Sequence, residues 1–426
     1  MGFRSARFTL AAGAAGLVAG VFGGLAASLL PLAAAHAEDT IKLGYIDPLS
    51  GGGASVGEPG LKNFQYFAEE LNVAGGVLGR KIEVAGFDNK TNPQESLIQA
   101  QKAVDRGFHF LSQGNGSSVA AALNDFATKY GDRNPGHGVL YLNYAAVDPV
   151  LTNEKCSFWH FRWDANSDIK MQALTNFMKD RPNIKKVYLI NQDYSFGQSV
   201  RTQARAMLKV KRPDVEIVGD ELHPLLKVTD FAPYVAKIKA SGADTIITGN
   251  WGQDIALLIK AAADAGLQSD WYTYYAGGPG GPVAVKQAKL EHRVFAISEW
   301  IPNSEPPEAA KIETEFRTKM GMPIYYPRAR NEVRMLARAI ELAGSDDAQA
   351  VAAKLEGMTF KTFMGGEGFM RKEDHQFFQD MYIASFGPLD PGAKFEEEET
   401  GWGWREAAVV KAKDTVLPTT CNMNRP

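Results

Sequence analysis

The sequence predicts an α/β fold of two similar lobes, each a parallel sheet sandwiched by helices. Three observations predict it. Residues 41–104 run strand, helix, strand, helix at the spacing of crossover units in a parallel sheet. A second series of the same kind runs from about 163 to 275. Beyond it come one further strand, several helices and two late strands, so the chain returns to halves already built.

The elements follow in order. The apolar run 41–46 is a buried strand, closed by a turn at Pro48, Leu49, Ser50 and Gly51. An amphipathic helix covers about 61–71 and ends at Gly75 and Gly76. A second strand covers 81–87. Thr91, Asn92 and Pro93 open a helix over 94–104. Strands at 108–111 and 139–143 flank a helix at 119–130. In the second series, helices at 169–179, 198–209, 231–241 and 254–265 alternate with strands at 186–190, 215–218, 245–248 and 271–275. The last strand runs into a glycine-rich loop over 276–281. A strand at 294–297, helices at 307–320, 331–343 and 348–356, and strands at 377–386 and 406–410 complete the chain. The four glutamates at 396–399 read as a solvated loop.

Residues 1–37 read as an export leader. Arg4 and Arg7 precede an Ala/Gly/Leu/Val-rich run, and Ala35 and Ala37 fit the positions that signal peptidase reads. The run is also long enough for a membrane anchor, but the small-x-small motif favours a cut after Ala37. The cut removes both arginines and moves the formal charge from −3 to −5. A mildly acidic chain without a basic stripe argues against nucleic acid and anionic membrane as partners. The remaining 389 residues suit two domains. Export places Cys156 and Cys421 in an oxidising compartment, where one disulfide tying the tail to the loop before Trp159 is expected. Two free thiols are the alternative.

In open parallel sheets, ligands bind beyond the carboxyl ends of the strands. The loops there are 114–118, 144–149, 191–197, 249–251 and 276–281. Free N–H groups at helix starts suit an anion. Ser117 and Ser118 read either as N-caps or as hydroxyl donors to a carboxylate. There is no GxSxG elbow, HExxH or Walker loop, and no pair of histidines lies at helical metal spacing. No catalytic residue, metal or cofactor is expected.

The motifs around Pro48 to Gly51, Asn72 to Gly79, Asp148 to Thr152, Asp193 to Gly197 and Ala261 to Leu267 occur in one order. In that order the chain resembles the periplasmic branched-chain amino-acid (Leu/Ile/Val) binding proteins of ABC importers, over about 41–386. The resemblance implies a type I periplasmic binding protein fold with ligand clamped between lobes joined by three crossovers. These are placed near Arg162, 298–301 and 375–379. The implied lobes are 38–162 with 298–376, and 163–297 with 377–426. Hinge closure would follow from ligand contacting both lobes. The partners implied are a small molecule and an inner-membrane ABC permease, and the protein is expected to be a monomer in the periplasm.

Carried over residue by residue, the family's carboxylate-binding serine falls at Ser117. Its amide-donating loop falls on Ala145, Ala146 and Val147, where Val147 replaces a threonine. Phe196 stands for a tyrosine, and Trp251 or Asn250 for another. The glutamate that holds the ligand ammonium has no counterpart in the loop after Tyr275, and Asp193 is the nearest substitute. Val56, Asn115, Ser118, Tyr144, Tyr275, Gly277 and Tyr326 complete the expected lining, with Arg328 as a partner for a carboxylate. An ammonium buried without a carboxylate is costly. These departures favour a small organic acid without an amine, aromatic or not. A branched-chain or other amino acid, or an amide, is the alternative. A ligand-sensing module of a signalling system is the alternative to transport.

Overall fold

The structure is a computed structural model that describes residues 40–304 and 307–426. The leader and its cut after Ala37 lie outside the described residues.

The chain opens with β1 (Ile41–Asp47), α1 (Ala54–Val73), β2 (Ile82–Asp88), α2 (Pro93–Asp105), β3 (Phe110–Gln113), α3 (Ser117–Arg133), β4 (Leu140–Asn143) and β5 (His160–Arg162). It continues with α4 (Ser167–Met178), β6 (Lys186–Gln192), α5 (Ser195–Lys211), β7 (Glu216–His223), α6 (Ala232–Ser241), β8 (Thr245–Thr248), α7 (Gln253–Asp264), β9 (Asp270–Thr273), α8 (Gly281–Gln287) and β10 (Val294–Ser298). Then come α9 (Pro307–Met320), α10 (Pro327–Ala343), α11 (Ala348–Leu355), β11 (Thr359–Lys361), β12 (Glu367–Met370), β13 (Phe377–Phe378), β14 (Met381–Pro388) and β15 (Trp402–Val410).

Two sheets result. The first has the order β2-β1-β3-β4-β5 and is parallel throughout. The second has the order β15-β14-β10-β9-β8-β6-β7 and is parallel except at β14 and β15. Strands covered on both faces read as continuous apolar runs; Leu43, Leu111, Leu142, Leu189 and Ile246 are all fully or nearly fully buried. α10 packs on α1 and so lies with the first sheet. Three short antiparallel strands, β11-β12-β13, form a separate small sheet.

Arg162 holds the connection out of the first sheet. Its N–H donates to His375 O at 2.9 Å, its Nε to Gln376 Oε1 at 2.7 Å and its Nη1 to Asp148 O at 2.6 Å. Burial pulls this guanidinium down to about 10, against the pull of Asp374, Asp148 and Asp164. Satisfying a buried arginine from both chain segments fixes them against each other.

Four features depart from the sequence expectation. First, α1 starts at Ala54, well before residue 61, and carries Pro59 inside it. Gly57 and Gly60 permit this by letting the helix lie directly on β1 and its turn: a Cβ on Gly57 would sit 1.7 Å from Pro48 O. Second, the glycine-rich loop ends in the short helix α8, entered through Gly280 at φ 81°. Third, the expected strand 377–386 breaks between β13 and β14 at Gln379 and Asp380, where Asp380 accepts from Ala412 N and Lys411 Nζ. Fourth, the tail leaves the second sheet after β15. Thr419 donates to Thr152 O, and Arg425 to Glu356 and Lys372 O. The Cys156–Cys421 disulfide, with 5.6 Å between Cα atoms, is the one expected from the sequence. The segment 377–426 therefore does not stay with the second sheet throughout.

Gly57→Ala should lower the urea midpoint by an amount equal to about 2 kcal/mol or more, because its neighbour is rigid backbone. An unchanged midpoint would show that α1 does not lie on Pro48.

Candidate functional site

Both sheets send the carboxyl ends of their parallel strands to one cavity, which encloses about 1080 Å³ with its mouth included. β3 and β4 contribute Gly114 to Ser117 and Ala145 to Val147. β6, β8, β9 and β10 contribute Tyr194 and Phe196, Trp251 and Gly252, Tyr274, Tyr275, Gly277 and Gly278, and Ser298 to Trp300. Val56 from α1, Lys170 from α4, and Ile324 to Arg328 at the start of α10 close it.

The first wall is polar backbone. Gly116, at φ 98°, turns the chain into α3, so Ser117 is the first helical residue. Its Oγ accepts from Asp148 N at 3.3 Å, which leaves its hydroxyl proton free. Among the described residues, the N–H groups of Ser117 and Val147 have no hydrogen-bond partner. Those of Ala145 and Ala146 are taken by Asn143 Oδ1, at 3.2 and 2.8 Å. The amide grip expected from three residues therefore reduces to Val147.

Asp47 organises this wall from behind. It accepts from Asn115 N at 3.0 Å, from Asn115 Nδ2 at 3.0 Å and from the Tyr144 hydroxyl at 2.5 Å. Burial lifts its carboxyl to about 6, and those donors hold it from going higher. Asn115 thus reaches the cavity with its amide already engaged. Tyr144 lies buried beneath the wall and does not line it, a correction to the expected set.

The second wall is aromatic. Trp251 Nε1 donates to the Tyr194 hydroxyl at 2.7 Å, and the Tyr274 hydroxyl donates to Ser167 O at 2.7 Å. Phe196 lies 6.1 Å from Tyr275, ring centre to ring centre. With their polar atoms engaged by protein, these rings offer apolar faces.

The third wall is a buried ion cluster. Arg328 Nη1 meets Glu299 Oε1 at 2.5 Å, and its Nε lies 3.5 Å from Asp164 Oδ2. Lys170 Nζ meets Asp164 Oδ1 at 2.7 Å, and the Tyr275 hydroxyl donates to Asp164 Oδ2 at 3.1 Å. Burial works against the charge on Arg328, but Asp164 and Glu299 outweigh it and hold its pKa above the ordinary value. Burial likewise opposes the charge on Glu299, and Arg328 with Lys170 outweighs it and holds Glu299 below the usual carboxylate range. Arg328 is thus spoken for by two acids rather than open to a ligand carboxylate. Tyr326 lines the cavity, its hydroxyl donating to Val56 O at 3.1 Å.

Val56, Asn115, Ser117, Ala145, Ala146, Val147, Phe196, Trp251, Tyr275, Gly277, Tyr326 and Arg328 come together here. Ser118 and Asp193 do not. Both are exposed, and Asp193 accepts instead from Gln198 Nε2 at 3.0 Å. The sequence reading missed Lys170, Glu299, Trp300, Tyr194 and Tyr274. Glu299 and Trp300 stand just past the end of β10, so the strand-end rule applied to that strand would have found them. Lys170 sits between buried Ile169 and Met171, a cation within an apolar run. The 396–399 loop also departs from expectation: Glu397 is buried and reaches the cavity wall. Among the described residues, no cluster of three or more His, Cys, Asp or Glu could hold a metal, and no helix is long and apolar enough to cross a membrane.

Two sheets of parallel strands around a shared, ligand-sized cavity define a two-lobed solute receptor. The chain belongs to the periplasmic binding protein family, whose model matches residues 40–388. It is 31% identical over 414 residues to Leu/Ile/Val-binding protein homolog 4 of Brucella abortus (strain 2308), covering 95% of this chain and 98% of that one. The crystal structure of the leucine-, isoleucine-, valine-, threonine- and alanine-binding protein of Brucella ovis, in its closed conformation, superposes with a TM-score of 0.81 at 30% identity, covering 91% of this chain and all of that one. A solute-binding protein of an ABC transporter from Rhodopseudomonas palustris BisB5, in complex with 3,4-dihydroxybenzoic acid, gives a TM-score of 0.73 at 20% identity, covering 88% and 98%. Family members bind small molecules for ABC transporters and are not an enzyme family.

Arg328→Ala should cost about 3–5 kcal/mol in urea unfolding, because it removes the cation hydrogen-bonded to buried Glu299. Adding Glu299→Gln should restore a large part of that loss. Losses that simply add would show that the two groups do not interact.

Proposed function

We propose that this chain is exported to the periplasm through a cleaved leader and delivers a small organic acid without an amine to an ABC permease, working as a monomer. The observation that carries the reading is the division of the cavity. One wall offers the Ser117 hydroxyl and the unpartnered N–H groups of Ser117 and Val147, a donor set suited to a carboxylate. The facing wall offers Phe196, Trp251 and Tyr275, which suit a flat apolar body. The acids of the ion cluster, Asp164 and Glu299, are already paired with Lys170 and Arg328, so neither is open to a ligand ammonium. An α-ammonium buried beside that cluster would lack a counter-charge. The Rhodopseudomonas palustris protein of the same fold, in complex with 3,4-dihydroxybenzoic acid, supports such a ligand.

Binding acts through the hinge. Carboxylate donors come from the first lobe and rings from the second, so a ligand contacts its full set only when the lobes are closed. The population shifts toward closure by that difference in affinity.

The reading is tested by thermal shift on ligand-stripped protein with leucine, valine, benzoate, 3,4-dihydroxybenzoate and 4-methylpentanoate. A native-state ligand raises the melting temperature by mass action. The expected result is a shift with at least one amine-free acid and none with the amino acids. A shift with leucine or valine alone would overturn the amine-free assignment. For the acid that binds, Ser117→Ala should weaken affinity by roughly 1–2 kcal/mol. Trp251→Ala should weaken it by about 2 kcal/mol or more. Calorimetry on the folded variants measures both, and unchanged affinity in either removes that residue from the site.

A further inference from the structure

Resting on that reading of the cavity, we infer that Glu397 is a second, specificity-determining anchor, which hydrogen-bonds a hydroxyl carried by the ligand away from its carboxylate.

Glu397 belongs to the strap that links β14 to β15. Its side chain is buried, yet it forms part of the cavity wall together with Pro302, Ile324, Tyr325 and Trp404. One carboxyl oxygen, Oε1, takes a hydrogen bond from Arg317 Nη2 at 3.2 Å. The other, Oε2, has no hydrogen-bond partner among the described residues. A buried acid on a cavity wall, with one oxygen held and the other unpartnered, is a polar group able to take a partner from a ligand.

The strap is built to keep it there. Glu397 N donates to Trp402 O at 2.8 Å, and Thr400 donates to Glu397 O through both N–H and hydroxyl. Glu398 accepts from Gly280 N at 2.7 Å and from the Tyr325 hydroxyl at 2.9 Å. Asn303 Nδ2 donates to Phe395 O at 2.7 Å. Glu398 and Glu399 both occupy the left-handed region, at φ 54° and 58°, which is strained for residues with a Cβ. Strain of this kind persists only where its surroundings over-determine it.

The local charge balance selects the type of partner. Arg317 is shared by Glu313 and Glu397, both buried, with Glu398 beside them. Burial, only partly offset by Arg317 and reinforced by Glu313 and Glu398, lifts the Glu397 carboxyl to about 8. The surroundings thus favour the uncharged form, which can both donate and accept. A hydroxyl matches it, whereas an ammonium would require it to ionise first. The ligand class that follows is a hydroxylated carboxylic acid, gripped at its carboxylate by Ser117 and Val147 and at its hydroxyl by Glu397.

The test is calorimetric titration of the full mature protein with benzoate, 4-hydroxybenzoate, 3,4-dihydroxybenzoate and 4-(aminomethyl)benzoate, and of Glu397→Gln and Glu397→Leu with the same four. Wild type should prefer a hydroxylated acid to benzoate by about ten-fold or more, the loss expected when a buried polar group is left unpaired. Glu397→Leu should abolish that preference, and Glu397→Gln should keep part of it. Far-ultraviolet circular dichroism and melting curves establish that both variants fold. Equal affinity for benzoate and its hydroxylated forms in wild type, or a preference that survives Glu397→Leu, would overturn the role of Glu397 and leave the carboxylate site standing. Preference for the aminomethyl acid would overturn the hydroxyl assignment. Binding of none of the four would overturn the aromatic-acid form of both readings together.

Discussion

The site depends on the buried ion cluster of Asp164, Lys170, Arg328 and Glu299. Its members come from four separate places: the connection after β5, helix α4, the end of β10 and the start of α10. Four charges out of water are tolerable only because each has an opposite neighbour at hydrogen-bonding range and a hydroxyl, Tyr275, completes Asp164. The cluster is also electrically closed, with two cations and two acids. It therefore fixes the relative positions of the segments that join the lobes while exerting little net pull on a charged ligand.

That neutrality gives the remaining walls their meaning. A ligand charge must be met elsewhere, and the free N–H groups at the start of α3 and at Val147 are the groups placed to meet a negative one. Asp47 makes this possible from beneath by binding Asn115 and Tyr144, which keeps the loop before α3 in the turn that exposes Ser117. The aromatic side chains, with their hydroxyl and indole groups engaged by one another or by backbone, supply dispersion and apolar area rather than hydrogen bonds. Specificity beyond a flat acid then falls to the remaining polar groups of the cavity wall, Glu397 among them.

Much of the architecture was legible because local patterns dominate it. β8 falls on the residues that the sequence predicts, and so does α9. Strand-end loops and the family resemblance together named twelve residues that share one cavity, from Val56 to Arg328. What escaped was set by distant partners. Ser118 follows Ser117 in sequence, but one step along a helix turned it to solvent. Tyr144 was drawn inward by Asp47, nearly a hundred positions earlier. Arg328 looked free because Glu299 and Asp164 are remote in the chain. The run at 396–399 read as solvated because four like charges normally repel into water, yet Arg317, Gly280 and Tyr325 each take up part of it. Short strands such as β5 and β11 carry too little pattern to stand out from loops.

The central claim is that a carboxylate is gripped by the first lobe while its apolar body lies on the rings of the second. The most direct measurement is a crystal structure of the protein bound to the acid that gives the largest thermal shift. The account predicts the carboxylate within hydrogen-bond distance of the Ser117 and Val147 amides, with its body between Phe196 and Trp251 and the Arg328–Glu299 pair intact. A carboxylate seated on Arg328 with Glu299 displaced, or a ligand bound outside this cavity, would contradict it.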